Sequence, residues 1–121
     1  MHYKIDQAQG YLRAELFDRE TAEEAQAFIR ALSAKAVQGG WTRVLISVHN
    51  SRPIFKLQAY GIPEYFRGLA ENPANRVALV SDSDAMRSSQ QYIEMLGREH
   101  GAKVRAFKDE AAALEWLRSE A

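Results

Sequence analysis

Two short polar loops carry the side chains best suited to chemistry: His49-Asn50-Ser51-Arg52-Pro53, and Ser81-Asp82-Ser83-Asp84 running on to Arg87. Each follows an apolar run and leads into a helical pattern. A histidine can act as a general base, a serine hydroxyl can be a nucleophile or accept a phosphoryl group, and an arginine can hold an anion. In open α/β sheets ligands gather beyond the carboxyl ends of the parallel strands, where such loops lie. If the two preceding strands are neighbours, His49, Ser51, Arg52, Asp82, Ser83 and Arg87 share one rim.

The same residue types have simpler uses. Ser, Asn and Asp after a strand are the residues that cap helix N-termini, so capping is the first role for Asp82, Ser83 and Asp84. Pro53 suits the first turn of a helix. His49 lacks an identified nucleophile or orienting carboxylate, so an enzyme using His49 with Ser51 or Asp82 is the least favoured reading, and no catalytic residue is assigned. Arg52, Lys56, Arg67 and Arg87 are candidates for an anion near those helix starts, although scattered basic residues usually form a solvated face.

A second concentration of unusual side chains follows the first loop. Phe55, Tyr60, Tyr65 and Phe66 are four of the twelve aromatic residues, and Gly61 and Pro63 interrupt the helical pattern of residues 53–69 around them. An irregular segment rich in aromatics can cover an apolar pocket, which makes Phe55, Tyr60, Tyr65, Phe66, His49 and Arg52 the expected ligand-binding set. Plain packing against the sheet is the alternative, and Ile54, Phe55, Leu57, Ile62, Phe66 and Leu69 could instead form an exposed patch for a partner or a membrane surface.

Composition narrows the classes. The chain has 121 residues, the size of a single domain spanning 1–121, with 46% hydrophobic and 26% charged residues. Sixteen Lys plus Arg balance sixteen Asp plus Glu. That balance lacks the positive field of nonspecific duplex binding, so no nucleic-acid partner is expected. Cysteine is absent, and the three histidines, His2, His49 and His100, are far apart in sequence. Neither a metal nor another cofactor is expected, and a reducing cytoplasm is the expected compartment. The start, Met1 to Asp6, is polar, and no apolar run reaches membrane-spanning length.

The elements that must position these loops can be read from periodicity. Tyr3–Asp6 and Tyr11–Phe17 alternate around Gln9-Gly10 and predict a hairpin. Thr21 and Glu24 form a capping-box pattern, followed by Ala25, Phe28, Ile29, Leu32 and Ala36 at helical spacing until Gly39-Gly40. Val44 to Val48, Val77 to Val80 and Lys103 to Phe107 read as strands, the first two as strands covered on both faces. Helices are predicted over residues 53–69 with a break, 84–100 and 110–118. In the helix over 84–100, Met86, Ser89, Ile93 and Leu96 mark a core stripe. The fold class is therefore α/β, with a mixed, mostly parallel sheet of about five strands and about four helices.

This order of elements resembles the SpoIIAA-like group of the STAS and Sec14-type superfamily. Val104-Arg105-Ala106-Phe107-Lys108-Asp109-Glu110, with Ala111 to Leu117 after it, is similar to that group's closing strand, acidic turn and Ala…Trp-Leu helix. Tyr11 to Phe17 with Thr21, and Arg76 to Asp82, resemble its second and fourth strands. The resemblance implies a non-enzymatic binding or regulatory module. Anti-sigma-factor antagonists of the wider group are phosphorylated on a serine after the third strand, which corresponds to Ser51, but their Asp-Ser-Ser/Thr-Gly-Leu pattern reads Asn50-Ser51-Arg52-Pro53-Ile54 here. Likeness to Sec14-type carriers implies instead a small apolar or lipid-like ligand near residues 53–69. The partners implied are such a ligand or a protein, a second copy of the chain included.

Overall fold

The computed structural model describes residues 1–51 and 62–119. Strands β1 (His2–Gln7), β2 (Leu12–Phe17), β3 (Arg43–His49), β4 (Arg76–Ser81) and β5 (Val104–Phe107) alternate with helices α1 (Ala22–Gly39), α2 (Ile62–Ala70), α3 (Asp84–Glu99) and α4 (Glu110–Arg118). The expected α/β class, with a mixed and mostly parallel sheet, is what forms. β1 pairs antiparallel with β2, and β2 through β5 run parallel in simple sequential order.

Local chemistry fixes the ends. The Thr21 side chain accepts from Glu24 N, and the Glu24 side chain accepts from the Thr21 backbone, so two N–H groups that a helix start leaves unpaired are satisfied. Gly40 closes α1 at φ 68°, a left-handed conformation that costs glycine little. Ser83 caps α3 by accepting from Met86 N, and Asp109 caps α4 by accepting from Ala112 N. Asp82 does not cap: its Oδ2 accepts from Asn50 N at 3.1 Å and ties the loop after β4 to the loop after β3.

Sequential strand order has a consequence for layering. Right-handed crossovers that always step in the same direction place their helices on the same face of the sheet. Accordingly, Phe28 and Leu32 of α1, Phe66 of α2, and Met86 and Leu96 of α3 share one core with Leu12, Ala14 and Leu16 of β2 and with Val44, Ile46 and Val48 of β3. Among the described residues only α4 covers the other face, where Ala113 and Leu117 pack on Tyr11, Leu45 and Ala78. α3 lies close to β5 at Gly97, where an added Cβ would come within 3.0 Å of Val104 Cγ2.

Candidate functional site

The carboxyl ends of β2, β3 and β4 open onto a polar cleft of about 590 Å³. The loop after β2 contributes Asp18, Arg19 and Glu20, that after β3 Asn50 and Ser51, and that after β4 Asp82 and Ser83. Asp18 and Asn50 both hold positive φ, 57° and 47°. Asn50 Nδ2 donates to Asp18 Oδ1 at 2.6 Å. Ser51 Oγ is used twice, donating to the His49 carbonyl at 2.9 Å and accepting from Arg19 N at 3.1 Å. The cleft presents three carboxylates, those of Asp18, Glu20 and Asp82, an environment unfavourable to an anion. Arg67 and Arg87 are taken up by Glu64 at 3.0 Å and Asp84 at 3.4 Å.

His49 does not join this cleft. Alternation along β3 turns its imidazole to the face that carries α4, where it stacks on Phe17 at 4.8 Å, with His2 stacked on the far side of Phe17 at 4.7 Å. His49 Nε2 is 3.3 Å from Glu15 Oε2 but lacks hydrogen-bond alignment. The expected rim therefore divides: Ser51, Asp82 and Ser83 meet, whereas the His49 side chain is turned away and Ser51 bonds its carbonyl instead. Arg52, Phe55 and Tyr60 lie outside the described residues.

On the three-helix face a cavity of about 90 Å³ lies between α1, α2, α3 and the sheet. Tyr65 and Phe66 line it from α2, Phe28 and Ile29 from α1, and Met86 and Ile93 from α3. Phe66 is only 3% exposed and Leu69 is packed against the core, so these two do not form an exposed patch. Tyr65 is partly buried by surface area, yet the protein around its hydroxyl is dense enough for desolvation to push its pKa well above the ordinary tyrosine range.

Among the described residues three buried polar side chains interrupt this apolar wall: Arg19, Ser89 and Gln90, each 4% exposed or less. Arg19 lines both the cavity and the polar cleft, and joins them. Burial lowers its pKa, with Glu24 acting in the opposite direction. Gln90 could have been singled out from the sequence, because it lies on the Met86, Ser89, Ile93 stripe as a polar residue at helical spacing. Arg19 gives no comparable signal, since an arginine after a strand is ordinarily solvated.

A model of the SpoIIAA-like family matches residues 11–118, from the second strand to the last helix. The chain belongs to the SpoIIAA-like family. No curated protein and no solved structure matches it. The family match spans the strands, loops and helices that build both the polar cleft and the cavity of this SpoIIAA-like domain. No described helix is long and apolar enough to cross a membrane. Among the described residues no three His, Asp or Glu side chains are grouped as a metal ion would use them.

Proposed function

We propose that this SpoIIAA-like domain is a non-enzymatic binding module that takes a small apolar ligand in the cavity beneath α2. The observation that carries this reading is the cavity itself: an almost wholly apolar wall with a few buried polar groups on one side is the usual make-up of a small-molecule site. Its size limits the occupant. About 90 Å³ is well below the roughly 300–1,000 Å³ of drug-sized sites, so it suits a few carbon atoms or the end of a longer chain.

The test is the intact mass of the purified protein under native and then denaturing conditions, for the wild type and for Ala25→Leu. Ala25 lines the cavity from α1, and the larger side chain fills the space from a helix that tolerates leucine. A mass increment in the native wild type that is absent from the folded variant is the expected result. Equal increments in both proteins would place the ligand elsewhere, and a bare mass in both would remove the reading.

A protein-interaction switch at Ser51 is the second reading, favoured by the bond that its hydroxyl accepts from Arg19 N of the neighbouring loop while it donates to the His49 carbonyl of its own. A phosphoryl group adds about two negative charges beside Asp18, Glu20 and Asp82, and would drive those loops apart. A phosphate increment mapping to Ser51 in the same mass measurement, with a change of partner binding, supports it. Identical partner binding by both forms would sink it.

A further inference from the structure

Gln90 is 1% exposed and lines the apolar cavity, with its Nε2 donating to the Val80 carbonyl at 3.0 Å. That bond fixes the orientation of the amide, because a carbonyl only accepts and must face the NH2 end. The other end, Oε1, is buried and has no hydrogen-bond partner. A buried acceptor left unmatched is costly, so the unmatched oxygen of a residue that lines a cavity calls for a donor from whatever fills it.

Resting on the cavity reading above, we propose that the ligand is a neutral amphiphile whose hydroxyl or other donor group bonds Gln90 Oε1 while its apolar body fills the space lined by Phe28, Ile29, Phe66 and Met86. The polarity follows from the acceptor. Arg19 also lines the cavity and would favour a carboxylate, but a carboxylate offers only acceptors and cannot supply the donor that Oε1 lacks, whereas a hydroxyl both donates to Gln90 and retains lone pairs for a nearby donor. The size follows from the volume: a cavity of about 150 Å³ accommodates benzene, so this smaller one suits a body of about three or four carbons.

The experiment uses the full chain labelled with nitrogen-15 and four probes: xenon, 1-propanol, 1-chloropropane and propionate. Xenon reports whether the cavity accepts an apolar guest at all. 1-Propanol and 1-chloropropane have the same heavy-atom count and differ in the donor. Their affinity ratio is compared between the wild type and Gln90→Met, so that their different costs of leaving water cancel. The ratio is expected to fall about tenfold in Gln90→Met, the equivalent of about 1.4 kcal/mol. In the wild type the Gln90 side-chain amide resonances are expected to move with 1-propanol and not with 1-chloropropane, a readout that does not depend on the variant folding. Xenon entry with an unchanged ratio and unmoved amide resonances, or propionate binding ahead of 1-propanol, overturns the donor assignment and leaves the apolar cavity standing. Exclusion of xenon and of both three-carbon probes from the wild type overturns the cavity reading itself.

Discussion

Glu24 holds the approach to α1 by accepting from the backbone N–H of Glu20 at 2.9 Å and of Thr21 at 3.1 Å. The bond from Glu20 is the main reason its carboxyl is held below the usual carboxylate range. Because the folded value lies below the unfolded one, near about 4.3, these bonds stabilise the fold above that pH, and the contribution is lost as pH falls through the lower, folded value. Glu24→Gln keeps the shape without the charge. Its urea midpoint is expected to lie below that of the wild type at neutral pH and to converge with it on acidification. A gap that stays constant across the acid range would show that the ionised carboxylate is not the source. Tyr65 provides the alkaline counterpart, since burial raises its pKa. Its neutral form supports the fold below the unfolded tyrosine value of about 10, and this support is lost as pH climbs toward the folded value. Of the five tyrosines, one is expected to ionise only as the protein unfolds, followed by ultraviolet absorbance beside circular dichroism. Complete ionisation with the circular dichroism unchanged would contradict this.

Helix ends and helix contacts make different demands on glycine, and the two can be separated. At Gly40 an added Cβ meets no atom within 4 Å, so Gly40→Ala is expected to cost only the left-handed backbone term, about 1–2 kcal/mol, with Gly40→Asn milder. Gly97 instead faces Val104 across the contact between α3 and β5. Gly97→Ala gains helix propensity but forces those elements apart, with a net loss of about 1–3 kcal/mol. Pairing it with Val104→Ala is expected to recover part of that loss in denaturant melts, and strict additivity would sink the contact explanation. The first kind of glycine is legible in sequence, since Gly39-Gly40 ends a run of helical spacing, as are the Thr21–Glu24 box and the apolar run of β3. The second kind is not, because a close approach depends on which strand returns beside the helix. Gly97 lies on the buried stripe of α3, but nothing local requires glycine there. The division of His49 from Ser51 was hidden for a related reason: two positions apart they would share a face if the strand continued, but β3 ends at His49, Asn50 turns the chain with a positive φ, and Ser51 follows that turn.

At the scale of the molecule, one sheet serves two unlike faces, and the proposed binding site belongs to one of them. The three-helix face holds the cavity, together with Arg19 as its link to the polar cleft. The α4 face packs Ala113 and Leu117 on Leu45 and Ala78, and Arg13 of β2 reaches across to Glu110 at the start of α4. Both faces share the same strands, so loss of packing on either should weaken one cooperative unit, whereas loss of a guest should follow only from changes on the three-helix face. Leu117→Ala removes a side chain that is 1% exposed and is expected to cost about 2–5 kcal/mol, seen as a lower midpoint with one transition. Under conditions where that variant stays folded, xenon is expected to enter as in the wild type. Ala25→Leu, on the opposite face, is expected to reverse the pattern, excluding xenon with little loss of stability. If folded Leu117→Ala also lost xenon entry, the sheet would be transmitting changes in α4 to the cavity, and the two faces would have to be treated as one coupled device.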